Sequence, residues 1–304
     1  MVPMAERDVR VYEVGPRDGL QNEAAPISTD AKLRFIDLLA DAGLREIEAT
    51  SFVSPKAIPQ LADADAVMGG LERRPGVRYP VLVPNTRGMD RAEAAGADAI
   101  CVFTAASEAF TRANINMTIT QSIEAFRPVI DRARQRGWWT RGYLSTAFGC
   151  PYQGEVGEAA VVAVAQQMLE LGVDELSIGD TIGVAAPADV RRVVGALNTA
   201  GIGPDRLAMH FHDTRGTALA NVSAALELGI RTFDASTGGT GGCPYAPGAA
   251  GNLATEDLVY LLEREGLEHG VDLDGLLVAA RHVGETLGRP VSTKVGLAGG
   301  WRVP

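Results

Sequence analysis

Eight short apolar runs, each followed by a stretch with helical spacing, divide this 304-residue chain from end to end. The runs are Val9–Val14, Glu46–Ala49, Arg78–Val83, Ala99–Phe103, Thr140–Ser145, Glu175–Ile178, Leu207–Phe211 and Thr232–Ala235. Such alternation restricts the chain to a mostly parallel sheet covered by helices. In Ala31–Ala42 the spacing puts Leu33, Ile36, Leu39 and Ala40 on one helical face, and Ala159–Leu171 and Thr217–Leu228 read similarly. Gly43, Gly96, Gly172 and Gly229 follow four of the helices, where a left-handed cap sits. Two architectures fit this count, a (β/α)8 TIM barrel and an open doubly wound sheet. The polar residues favour the barrel, because they cluster after strand ends along the whole chain and not at one switch point. Arg17 and Asp18 follow the first run, Glu48 lies on the second and Asn85 follows the third. Asp180 follows the sixth, His210 and His212 end the seventh, and Asn252 lies beyond the eighth. The expectation is one TIM-barrel catalytic domain over residues 1–304, with an added helix and tail from about 273.

Composition narrows the partners. With 28 basic and 38 acidic residues the net charge is −10, which argues against nucleic acid. It leaves room for an anionic small substrate held by a few local arginines. Cys101, Cys150 and Cys243 form neither a disulfide framework nor a C-x-x-C pattern, as in a reducing compartment. No window approaches the roughly 20 apolar residues that cross a bilayer, so no membrane partner is expected. MVPMAERDVR lacks the apolar core of a signal peptide and GGWRVP carries no recognisable targeting tail, so the expected location is cytoplasmic.

Three constellations carry chemistry. In His210-Phe211-His212-Asp213 the two imidazoles, at i and i+2 of a strand end, face one side and can reach one ion. Asp18 is the leading carboxylate ligand and Asn252 an amide donor. Two nitrogens, a carboxylate and an amide suit Mg²⁺ or Mn²⁺, although Fe(II) oxygenases use a related set. The second constellation is Gly15-Pro16-Arg17-Asp18-Gly19. Arg17 and Asp18 read either as a salt bridge across a turn or as a metal ligand beside a cation facing a developing anion. The third is Gly238–Asn252, GGTGGCPYAPGAAGN, six of whose fifteen residues are glycine. Pro244, Tyr245 and Pro247 stiffen it around Cys243, so it reads as a jointed active-site loop. Glu48 and Asp180 are carboxylates at the mouth that either react or orient a neighbour. Cys150 in GCPY reads as a buried structural thiol, and Trp138 and Trp139 as packing.

With these residues placed, the sequence resembles 3-hydroxy-3-methylglutaryl-CoA lyase, within a larger group of barrel metal-dependent lyases and condensing enzymes. EVGPRDGLQNE, EATSFVSPKAIPQ, GCPYQG, SIGDTIG, HFHDTRGTALAN and GGCPYAPGAAGNLATEDLVYLLE carry the resemblance over nearly the whole chain. It implies cleavage to acetyl-CoA and acetoacetate, as in leucine degradation and ketone body formation. It also implies an acyl-CoA substrate and a homo-oligomer, dimer or higher. Asp18, His210, His212 and Asn252 match the family's metal ligands, Arg17 the arginine that steadies the enolate, and Cys243 the loop cysteine. Glu48 and Asp180 match acidic residues important for activity, and Ser51 and Ser177 sit in matching segments as substrate-binding candidates. Lys56 and Arg112 are candidates for the coenzyme A phosphates. Arg215 stands where a tyrosine is common in animal members, and Thr240 where leucine is usual. The rivals are a lyase for a longer-branched hydroxyglutaryl-CoA, a synthase joining a 2-oxo acid to acetyl-CoA, and a non-catalytic ligand sensor.

Overall fold

The computed structural model describes residues 7–241, 251–291 and 293–301. Its strands are β1 (Arg10–Glu13), β2 (Glu46–Ile47), β3 (Thr50–Ser51), β4 (Val81–Leu82), β5 (Ala99–Ala105), β6 (Trp139–Ser145), β7 (Glu175–Asp180), β8 (Leu207–Phe211) and β9 (Thr232–Ala235). All pair in parallel, in the order β2-β1-β9-β8-β7-β6-β5-β4-β3. The two ends of that order, β2 and β3, are halves of one extended run interrupted at Glu48 and Ala49. Across the interruption Glu48 N–H donates to the Glu13 carbonyl at 2.8 Å and Ala49 N–H to the Pro80 carbonyl at 2.9 Å. Residues 46–51 therefore join both edges, and the segments close as an eight-stranded (β/α)8 barrel. Among the described strands no edge is left for another chain to pair with.

A helix follows each barrel strand: Thr29–Asp41, Ala64–Gly70, Thr86–Ala94, Ile119–Gln135, Glu158–Leu171, Pro187–Thr199, Ala218–Glu227 and Thr255–Arg264. Their ends have local causes. The Thr118 hydroxyl accepts from Gln121 N–H at 3.0 Å while Gln121 Oε1 accepts from Thr118 N–H at 2.9 Å, a capping box. Gly172 ends Glu158–Leu171 with φ +104°, a conformation that strains any residue with a Cβ. The buried stripe of Thr29–Asp41 departs from the expected one. Phe35, Ile36, Leu38, Leu39 and Ala40 are buried, while Leu33 lies at the margin. The face is wider because this helix packs inward on the barrel and sideways on the added helix Leu273–Leu287. His282 Nε2 of that helix lies 3.1 Å from the Ala31 carbonyl, and its first turn is held by Asp272.

Two cores result. The outer one, between helices and barrel, is aliphatic and includes Ile100, Val129, Ile130, Val164, Met168 and Leu176. The inner one joins Tyr12, Val14, Leu82, Cys101 and Tyr143. Charged side chains share that interior: Glu48, Arg141, Glu175 and Asp234 are all buried. Among the described residues no helix is long and apolar enough to cross a membrane.

At the strand ends, buried Glu256 joins three segments. Its Oε2 accepts from Gly238 N–H at 3.1 Å and its Oε1 from the Thr293 hydroxyl at 2.7 Å. Burial pushes this carboxyl up to about 7 from an ordinary 4.5, despite those hydrogen bonds. Between the two values the folded chain holds a proton that the unfolded chain has released. The Glu256 contribution to stability is therefore lost as pH rises from 4.5 to about 7 and is constant above. Glu256→Gln, neutral throughout, should gain about 2–3 kcal/mol relative to wild type on going from pH 5 to pH 8 in urea denaturation. An unchanged difference at the two pH values would contradict this account.

Candidate active site

The turn after β1 is a π-helical turn, Gly15–Gly19, a form often found at functional sites. The Val14 carbonyl accepts from Asp18 N–H at 2.7 Å and Gly19 N–H at 3.1 Å. Glycine is required at both ends by close approach. A Cβ on Gly15 would stand 2.5 Å from Glu13 Oε1, and one on Gly19 2.3 Å from Thr240 Oγ1. Glu13 anchors the turn through the N–H groups of Gly15 (2.8 Å) and Thr237 (2.9 Å) and the hydroxyls of Thr237 (2.6 Å) and Thr255 (2.8 Å).

This turn delivers Arg17 and Asp18 side by side. Arg17 is buried, and its fork grips Glu48, Nε to Oε1 at 2.9 Å and Nη2 to Oε2 at 3.0 Å. The third nitrogen, Nη1, donates to Asp18 Oδ1 at 2.7 Å. Burial would lower the Arg17 pKa, but Glu48 and then Asp18 outweigh it, so the guanidinium is held charged. Tyr143 donates its hydroxyl to Glu48 Oε2 at 2.5 Å, completing the bracket. Glu48 thus sits behind Arg17 and orients it.

Asp18, His210 and His212 each offer a ligand atom within 4.8 Å of the others. Asn252 reaches the same place, because residue 252 bridges residue 212 and Asn252 Nδ2 donates to Asp18 Oδ2 at 2.8 Å. Burial would raise the Asp18 carboxyl, but Arg17 and His210 reverse it and hold it at about 2. Burial, and then the neighbouring His210, push His212 down to about 3, leaving a neutral imidazole. His210 moves the other way: burial opposes its charge, but Asp234 outweighs that and raises it. Two buried polar atoms here, His212 Nδ1 and the amide oxygen Asn252 Oδ1, have no hydrogen-bond partner among the described residues. An orphaned amide oxygen and neutral imidazole beside an ionised carboxylate fit a divalent cation.

A cavity of about 580 Å³ opens over these groups. Arg17, Asp18, Tyr143, Ser177, His210 and His212 line its polar part, and Phe103, Ile115, Met117 and Phe126 an apolar part. Ser177 donates to Asp234 Oδ2 at 2.8 Å. Ser51 is not brought to the group; it is fully buried, with its hydroxyl 3.4 Å from the Leu82 carbonyl. Asp180 accepts from Val184 N–H (2.9 Å) and Ala185 N–H (3.0 Å). It therefore shapes the loop that carries Thr181 of the cavity wall. Arg215 clamps that loop at the carbonyls of Ile182 and Gly183, each at 2.9 Å. Thr240 lies under Gly19, its hydroxyl 2.6 Å from that of Ser236. Lys56 is exposed beside cavity-lining Ala57, and Arg112 is exposed and pairs with Glu108 at 3.7 Å.

Cys101 and Cys150 are buried. Burial, followed by Glu48, pushes the Cys101 thiol up, away from reactivity. Cys243, with Pro244, Tyr245 and Pro247, lies outside the described residues. Three residues that the motifs did not mark belong to this neighbourhood: Tyr143, Arg141 and Asp234. Their signal was polar side chains inside apolar strand runs, TRGYLS and TFDA.

A family model described as HMGL-like matches residues 8–283. The hydroxymethylglutaryl-CoA lyase YngG of Bacillus subtilis (strain 168) is 48% identical over 288 residues, covering 95% of this chain and 96% of its own. The crystal structure of hydroxymethylglutaryl-CoA lyase from Pseudomonas aeruginosa superposes with a TM-score of 0.94 at 46% identity, covering 96% of this chain and 97% of that one. An HMG-CoA lyase from Acinetobacter baumannii, in complex with coenzyme A and 3-methylmalate, gives a TM-score of 0.91 at 39% identity over 99% and 100% of the two chains.

The bracket around Arg17 has a measurable consequence. Glu48→Ala leaves a buried guanidinium with only Asp18 beside it, and should cost about 3–5 kcal/mol in urea denaturation. A loss below about 1 kcal/mol would mean that water or another group replaces Glu48 freely.

Proposed function

The chain belongs to the HMGL-like family, and on that premise we propose that it cleaves 3-hydroxy-3-methylglutaryl-CoA to acetyl-CoA and acetoacetate. The observation that carries the reading is the grouping of Asp18, His210 and His212 within 4.8 Å, beside a buried arginine and at the wall of one cavity. Asp18, His210, His212 and Asn252 would hold a divalent ion, Mg²⁺ or Mn²⁺. When bound, such an ion supplies Lewis acidity to the substrate's C3 hydroxyl and a neighbouring oxygen.

The remaining steps belong to side chains. Asp18 or His210 takes the proton of the C3 hydroxyl. The C2–C3 bond breaks, the C3–O bond becomes the ketone of acetoacetate, and the bonding pair moves onto the thioester as an enolate. Arg17 faces that oxyanion with a charge already fixed in place by Glu48, so no reorganisation is needed as the charge develops. The Cys243 thiol gives a proton to C2, completing the methyl group of acetyl-CoA. A thiol of ordinary pKa, near 8.5, is mostly protonated at neutral pH, which is the form this step requires. Glu48 and Asp180 orient Arg17 and the 181–185 loop, Ser177 serves substrate binding, and Ser51 supports that role from beneath Leu82 of the cavity wall. Lys56 and Arg112 are the candidates for binding the phosphates of the coenzyme A tail. The chain acts as one catalytic domain over residues 1–304, in the cytoplasm, as a homo-oligomer (dimer or higher). Its place is in leucine degradation and ketone body formation.

Acetoacetate release should be seen with 3-hydroxy-3-methylglutaryl-CoA, and no condensation with acetyl-CoA plus a 2-oxo acid; the reverse pattern sinks the reading. Arg17→Lys should lower kcat by at least about 10²–10³, since lysine lacks the planar fork. A change confined to KM would make Arg17 a uniform binding residue. Cys243→Ser should bind metal and substrate yet lose most turnover. A thiol reagent should inactivate the enzyme by labelling Cys243 and not the buried Cys101 or Cys150. Near-normal turnover in Cys243→Ser would remove the thiol from the mechanism.

A further inference from the structure

Inside the barrel lies an ion pair that the reaction steps above do not use. Arg141 is fully buried, and its Nη2 donates to Asp234 Oδ1 at 2.6 Å. Its guanidinium carbon lies 3.8 Å from the ring centre of Tyr12 and 5.2 Å from that of Tyr143. Its Nε is 3.1 Å from Glu175 Oε1, an ion pair without hydrogen-bond alignment. The other Asp234 oxygen, Oδ2, accepts from the Ser177 hydroxyl at 2.8 Å and faces His210 Nδ1 at 3.2 Å. Buried ion pairs contribute little net stability, so stability alone does not account for this one.

We propose that Asp234 is a positioning residue for the metal centre, fixing the tautomer and rotation of His210, and that Arg141 acts on that centre by holding Asp234. The proposal rests on the reading that Asp18, His210 and His212 bind a divalent ion. An ionised carboxylate only accepts hydrogen bonds. Facing Asp234, neutral His210 therefore carries its hydrogen on Nδ1 and the Nε2 lone pair is left for an ion, so of the two candidate bases for the C3 hydroxyl proton Asp18 is the one that stays free to act. Arg141 and Ser177 occupy the carboxylate from two other directions, so it has one orientation. The two histidines are thus unequal. His210 has an orienting partner, whereas His212 Nδ1 has none among the described residues. Loss of Asp234 should reach the metal centre through His210 and leave His212 unchanged. Asparagine in its place would present an amide N–H to His210 Nδ1, favour the Nε2–H tautomer and block the lone pair.

The test uses metal-free full-length protein with ¹⁵N-labelled histidine at pH 9, followed by Mn²⁺ titration read by electron paramagnetic resonance. Wild type should show His210 as the Nδ1–H tautomer. Asp234→Asn should show Nε2–H at His210 with His212 unchanged, a native circular dichroism spectrum, and Mn²⁺ affinity lower by about 10–100-fold. A purely structural ion pair would not move the tautomer. Wild-type His210 in the Nε2–H form overturns the proposal even if the variant does not fold. Equal Mn²⁺ affinity in wild type and Asp234→Asn overturns it while leaving the metal reading intact. Failure of wild type to bind Mn²⁺ removes the metal reading and this proposal with it.

Discussion

The grip of Arg17 on Glu48 is the contact on which the rest of the site depends. It requires Glu48 to face inward from the run of residues 46–51 that joins both edges of the sheet, and it requires the turn after β1 to close tightly enough to present Arg17. Both ends of the demand are visible: Glu48 is fully buried, and a Cβ on Gly15 or Gly19 would stand within 3 Å of a neighbouring side chain. Two parallel hydrogen bonds between planar groups leave the guanidinium one orientation. Its remaining nitrogen then fixes Asp18, and through Asp18 the amide of Asn252. One buried ion pair thus orders groups that lie far apart in the sequence.

The electrostatics are local. A chain of net charge −10 places a buried arginine against its cavity and keeps Asp18 ionised there, while His212 is kept neutral by burial and by His210. An acidic protein can therefore receive an anionic acyl-CoA. Low dielectric strengthens each of these interactions, and the same burial makes an unpaired partner costly. The polar interior of the barrel extends this logic downward, with Glu175, Arg141 and Asp234 stacked beneath His210.

Much of this could be read from the sequence, for physical reasons. Strand–helix alternation and glycine caps are local signals, so the barrel strands fall within a few residues of the expected runs, and Gly172 caps as anticipated. Asp18, His210, His212 and Asn252 converge because barrel topology brings strand ends together. What escaped depends on register. Asp234 meets Arg141 across 93 residues of sequence, and no local pattern tells which strand face each occupies. Ser51 sits in a matching motif and is fully buried, its hydroxyl 3.4 Å from the Leu82 carbonyl of β4, a contact that no local pattern announces. The wide buried face of Thr29–Asp41 reflects a second neighbour, Leu273–Leu287, that helical periodicity cannot reveal.

The central claim is that a divalent ion held by Asp18, His210, His212 and Asn252 is needed for carbon–carbon cleavage. It is tested most directly by following acetoacetate release from 3-hydroxy-3-methylglutaryl-CoA in exhaustively chelated protein, with Mg²⁺ or Mn²⁺ then added back. The account predicts that activity disappears with chelation, returns with the ion, and does so only at much higher ion concentration in His212→Ala. Full activity in the chelated protein would contradict it.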